Sequence, residues 1–197
     1  MKNYVTKVGA FALASAILIP STVSYGETLS ITSTTLPSTT LPSTDSISTK
    51  IMNNRPVDTE KVFMQTFDKD GNVVKTYSKV EAEQLQQHKQ NNILYGVNTY
   101  DFGATSFSSN KWIRGGTSFY RPLSVWVDAK YRTSGLGVAV YANNKYMGET
   151  VIWGTFDGGF DIGISRHLVG YEDYYSLKLN NHDGGTIYLN GGQVYYN

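Results

Sequence analysis

The sequence predicts an all-β domain, an antiparallel β-sandwich of jelly-roll-like build, preceded by a short β-hairpin plus helix and a disordered Ser/Thr-rich spacer. Three observations carry this. Of the 19 glycines, 16 follow Tyr95, with 12 of the 15 tyrosines from that point on and all three tryptophans. Apolar residues over the same stretch recur at every second position, the period of a strand with one buried face. Gly- and Asn-containing turn signals separate these runs at intervals suited to a sandwich or barrel.

Residues 1–26 have the form of a secretory signal. Lys2 and Lys7 precede the uncharged run Val8–Ile19, and Ser24 and Gly26 supply the small residues a signal peptidase reads. That run is too short to cross a hydrocarbon core of about 30 Å. Cleavage is expected before Glu27, leaving no transmembrane anchor in the mature chain. An exported, cysteine-free, Lys- and Asn-rich chain suggests a Gram-positive type of bacterium. Residues 27–58 form the spacer. The pentapeptide TTLPS occurs at Thr34–Ser38 and again at Thr39–Ser43, and Ser, Thr and spaced Pro offer too little apolar surface to fold.

Residues 59–93 read as a hairpin followed by a helix. Val62–Phe67 and Val73–Tyr77 flank Asp70-Gly71, which supplies the positive φ of a tight turn. Ser78 and Glu81 have capping-box spacing, and Lys79–Gln90 is dense in helix formers. The unit is too small to be stable alone. It either packs onto the strands that follow or serves as a pro-region removed on maturation, with Asn91–Asn92 as the boundary.

Residues 94–197 form the sandwich. Leu123, Val125, Val127, Ala129 and Tyr131 fall on one strand face, Val138, Val140 and Ala142 on another. Two more strands are read in MGETVIWGTF and FDIGISRHLV. Tyr175, Leu177 and Leu179 align next, followed by Ile187 and Leu189, then Val194 and Tyr196. Turns are expected at Ser134-Gly135, Asn143-Asn144, Asp157-Gly158-Gly159, Asp183-Gly184-Gly185 and Gly191-Gly192. The closing stretch, SLKLNN, a Gly-Gly turn and TIYLNGGQVYY, resembles the last hairpin of galactose-binding-like and carbohydrate-binding modules. The resemblance covers about 24 residues and implies a sugar-directed binding role.

Composition narrows the chemistry. The mature chain would carry 15 basic and 16 acidic residues, without the basic patch a phosphate backbone demands, so no nucleic-acid partner is expected. The absence of cysteine excludes disulfides and thiol catalysis. His88, His167 and His182 lack a motif-bound nucleophile, and no GxSxG, SxxK or HExxH is present. Asp157 and Asp161 bracket GGF and are the candidate ligands of a structural calcium; no other cofactor is expected.

The remaining candidates are surface aromatics beside polar groups. Trp126 and Asp128 oppose Val125 and Val127; Tyr141 opposes Val140; Tyr188 and Asn190 oppose Ile187 and Leu189. An aromatic face covers the apolar side of a sugar ring while amides and carboxylates bind its hydroxyls. These five residues are the expected ligand contacts of a secreted, non-catalytic domain binding cell-wall or other extracellular polysaccharide. The alternative is a secreted protein-directed factor, such as a bacteriocin-like toxin, enzyme inhibitor or matrix component. A hydrolase using Asp157, Asp161 or Glu172 ranks third.

Overall fold

The computed structural model describes residues 44–91 and 96–197. The expected signal peptide, spacer residues 27–43 and the boundary residues Asn92 and Tyr95 lie outside the described residues. The chain opens with α1 (Thr44–Asn53), then β1 (Met64–Phe67), β2 (Val73–Tyr77) and α2 (Lys79–Asn91). Four short strands follow: β3 (Asn98–Phe102), β4 (Thr105–Phe107), β5 (Asn110–Trp112) and β6 (Phe119–Tyr120). The long strands are β7 (Pro122–Thr133), β8 (Leu136–Ala142), β9 (Lys145–Ile152), β10 (Phe156–Gly163), β11 (Tyr174–Asn181) and β12 (Ile187–Tyr196).

These strands make two antiparallel sheets packed face to face, the sandwich expected. One has seven strands in the order β2-β1-β9-β8-β11-β5, with β6 also paired to β11. The other has five, β10-β7-β12-β3, with β4 also on β12. Period-two patterning builds the core between them. Val125, Val127 and Ala129 of β7, Phe160 and Ile162 of β10, and Leu189 and Val194 of β12 meet Leu136, Val138 and Val140 of β8 and Tyr175, Leu177 and Leu179 of β11. Each fully buried aliphatic contributes roughly 1.5–3 kcal/mol.

The hairpin and helix form as their local chemistry dictates. Asp68 accepts backbone N–H bonds from Asp70 (2.9 Å) and Asn72 (2.8 Å), and Gly71 takes φ 73°. Ser78 N–H donates to Glu81 Oε2 at 2.7 Å and Glu81 N–H to Ser78 Oγ at 3.3 Å, a complete capping box. β1 pairs along its length with β9, and Phe63, Met64 and Tyr77 enter the common core. The segment therefore packs onto the later strands and extends their sheet.

Turn signals sort into two kinds. Asn143 and Asn144, at φ 50° and 63°, join β8 to β9 as two positive-φ residues should. Gly135 and Gly184 also sit in connections. The other two expected turns are bulges inside strands. Pairing of β10 with β7 slips between Phe156 and Gly158, and pairing of β12 with β7 slips between Leu189 and Gly191. At Gly192 the Phe102 ring occupies the space a Cβ would need. The Gly191-Gly192 pair serves close packing within the continuous strand β12, and the predicted closing hairpin does not form, because β11 and β12 lie in different sheets.

Three further expectations are corrected. Thr44–Asn53, assigned to the spacer, is helical, because Ile47 and Ile51 lie on one face at i, i+4 spacing and bury against Phe67, Val151 and Trp153. Tyr131 was expected inside yet is 57% exposed, since β7 slips against β10 there. β8, expected to expose its second face, is buried along its whole length. Among the described residues no helix is long and apolar enough to cross a membrane.

Candidate functional site

Four of the five expected ligand contacts come together on the outer face of the five-stranded sheet. Trp126 and Asp128 alternate with buried Val125 and Val127 on β7, and Tyr188 and Asn190 alternate with Ile187 and Leu189 on β12. The β7–β12 register sets Asp128 opposite Gly191 and Trp126 opposite Gln193. Asn190 Nδ2 donates to Asp128 Oδ2 at 3.1 Å, and Gln193 Nε2 to Asp101 Oδ1 at 2.6 Å. Trp126 is 36% exposed and Tyr188 43%. A Cβ on Gly159 would stand 2.8 Å from the indole, so the bare backbone of β10 lets Trp126 lie down on it. Tyr131 joins the set, meeting Tyr188 edge-on at 5.5 Å, with Lys130 Nζ 5.4 Å from the Tyr131 ring. Three exposed rings thus flank two oriented amide–carboxylate pairs.

Tyr141 lies elsewhere, on the outer face of the seven-stranded sheet, and is only 7% exposed. Trp112 (4.9 Å) and Tyr146 (5.7 Å) pack against its ring, and Lys178 Nζ sits 5.8 Å above it. Burial first, then the nearby Glu149 charge, push its phenol up to about 12. It offers no open stacking face. It lines, with Tyr146, Glu149, Lys178, Asn180 and His182, a cavity of about 240 Å³ whose wall on one side is α1.

That cavity holds polar groups the sequence reading did not bring together. Glu149 is 1% and His182 4% exposed. His182 Nε2 lies 2.7 Å from Glu149 Oε1, and Asn180 Nδ2 donates to the same oxygen at 2.9 Å. The pair lies across Gly137 of β8, where a Cβ would overlap the carboxylate. Strict alternation would send Tyr146 and Glu149 to opposite faces. The register shift opposite Val140/Tyr141, at Gly148 with φ 146°, brings both to one face. Burial and the Glu149 charge push the Tyr146 phenol far up, and its hydroxyl is buried without a hydrogen-bond partner among the described residues. Gly148, a glycine inside a strand run, was the one signal of a bulge.

The third histidine is structural. His167 Nε2 meets Thr150 Oγ1 at 3.0 Å, and Thr150 Oγ1 donates to the Gly163 carbonyl at 3.1 Å. Burial above all holds His167 down at about 4, and it is neutral at pH 7.

Asp157 and Asp161 do not face each other over a turn, because their segment is strand β10 with a bulge. On the order of 10 Å of extended backbone separates them. Asp161 N–H donates to Gln86 Oε1 (2.7 Å) and Gln86 Nε2 to the Asp161 carbonyl (2.8 Å), which fastens α2 to this edge strand. Among the described residues no three His, Asp or Glu side chains gather around a metal position. Glu172 accepts from Asn143 Nδ2 at 2.9 Å, away from both aspartates. No protein-family model, curated protein or solved structure matches the chain.

Proposed function

We propose that the mature chain is a secreted, non-catalytic binding domain for cell-wall or other extracellular polysaccharide, with the outer face of the five-stranded sheet as its contact surface. One observation carries this: Trp126, Tyr131 and Tyr188 stand exposed on the same face as the Asn190–Asp128 and Gln193–Asp101 pairs. Rings of this kind cover the apolar faces of sugar residues, and the paired amides and carboxylates are already oriented for hydroxyls. The face is a sheet surface rather than a pit, which suits a chain passing over it. Export follows from the signal-like residues 1–26, and the Ser/Thr-rich segment serves as tether.

The test is retention of purified protein on insoluble cell walls and polysaccharides. Trp126→Ala and Tyr188→Ala are each expected to weaken retention about tenfold, equivalent to about 1.4 kcal/mol. Their thermal transitions should stay near the parent value, since both side chains are partly solvated. Parent-like retention by both folded variants removes this face as the contact surface. Capture of a protein with no glycan retention favours the protein-directed reading instead.

A further inference from the structure

The cavity behind α1 is lined by two polar groups whose hydrogen-bonding capacity is not filled among the described residues. Both bonds to Glu149 fall on Oε1, and Oε2 takes none among the described residues. The Tyr146 hydroxyl is buried and has no hydrogen-bond partner among the described residues. Buried polar groups are nearly always paired, so the orphaned Tyr146 hydroxyl beside the accessible Glu149 Oε2 calls for an occupant. The protein also supports them structurally. Gly137 leaves the space in which Glu149 and His182 lie, and the bulge at Gly148 turns Tyr146 and Glu149 to the same side.

We propose that this cavity is a binding site for one neutral, hydroxyl-rich molecule, a single sugar residue, with Glu149 Oε2 and Tyr146 Oη as its hydrogen-bonding partners. The charges exclude the alternatives. An anion would face the Glu149 carboxylate, and a cation would face the Lys178 ammonium, held 5.2 Å from Trp112 and 5.8 Å from Tyr141. Ile47, Ile51 and the Tyr146 ring give the apolar wall a pyranose needs. The size agrees: about 240 Å³ lies below the roughly 300–1,000 Å³ of pockets for drug-sized ligands. Ile47 and Ile51 of α1 form one wall, so a sugar here sits in a cleft rather than on a flat sheet surface. This site is independent of the Trp126 face, which lies on the other sheet.

The experiment is calorimetric or saturation-transfer titration of the full mature chain with D-glucose, D-galactose, D-xylose and N-acetyl-D-glucosamine. Ethanolamine and acetate serve as the cationic and anionic comparisons. At least one neutral sugar is expected to bind saturably in the millimolar range. Tyr146→Phe removes one hydroxyl without leaving a new unpaired group, and should weaken that binding about tenfold with no loss of thermal stability. Trp126→Ala should leave it unchanged. Saturation by none of the sugars, preference for ethanolamine or acetate, or equal binding by Tyr146→Phe would overturn the assignment. Sugar binding without polysaccharide retention would count against the Trp126 face alone, and retention without sugar binding against the cavity alone.

Discussion

Gly148 and Gly158 both interrupt strands at bulges, yet they carry different constraints. A Cβ at Gly148 would overlap the His167 ring and crowd the Phe67 carbonyl at 2.6 Å, with φ at 146°. At Gly158 nothing lies within 4 Å, and only the φ of 64° is unfavourable. Gly148→Ala therefore combines backbone strain with a collision against core groups, and is expected to cost about 3 kcal/mol. Gly158→Ala should cost about 1 kcal/mol, the left-handed conformation alone. Urea unfolding midpoints measure both, and equal losses would contradict the packing assigned to Gly148. The same substitution should disturb the aim of Tyr146, two residues before it, and so weaken any ligand in the cavity.

At the scale of elements, α1 stands apart from the strands. It buries Ile47 and Ile51 on Phe67, Val151 and Trp153, and Lys50 Nζ donates to the Asp70 carbonyl (2.9 Å) and Asn72 Oδ1 (2.7 Å). Just beyond it, Arg55 pairs with Asp183. A helix docked through one apolar face should open before the sheets themselves unfold. Ile51→Ala is expected to speed tryptic cleavage at Lys50 and to red-shift fluorescence as buried Trp153 meets water. The main unfolding transition should move by less than about 1 kcal/mol, because a helix that undocks limits the loss to its own docking energy. A full cavity penalty of about 3 kcal/mol with unchanged cleavage would show α1 to be integral to the fold. What was legible in the sequence divides along the same line. The capping box, the Asn143-Asn144 turn and the face shared by Trp126, Asp128, Tyr188 and Asn190 follow from residues near one another in sequence. The helix α1 offered only Ile47 and Ile51 in a Ser/Thr-rich stretch. Gly-Gly reads alike in a turn and a bulge, and what separates them is a distant ring: Phe102 on Gly192, or Trp126 on Gly159. Tyr141 is covered by Trp112 and Lys178 from other strands, contacts that no local pattern announces.

For the whole molecule, the absence of cysteine leaves stability to burial alone, and one buried histidine ties that stability to pH. His167 is held at about 4 in the fold, mainly because burial penalises its charged form. The Arg166 charge adds to this and the Glu149 charge opposes it. In the unfolded chain it titrates near its ordinary value of about 6.5. Between those values the unfolded chain binds a proton that the folded chain refuses, so stability is full above about pH 6.5. It declines as pH falls and levels off below about pH 4, with a total loss of about 3 kcal/mol. Asp68 and Asp183 behave differently. Hydrogen bonds within the turn hold Asp68 below the usual range against a desolvation that opposes them, and Ser134 and Arg55 do the same for Asp183. Their contributions are present above the ordinary aspartate range and are lost only as pH falls through their lowered values. Acid destabilisation should therefore begin with His167. Urea unfolding of the parent and of His167→Gln, stepped between about pH 7 and pH 4, separates this residue from His88 and His182, which both proteins retain. The two stability profiles should converge as pH falls, because the parent alone loses the His167 contribution. Parallel profiles would mean that His167 is not held neutral by its burial beside Thr150 and Gly148.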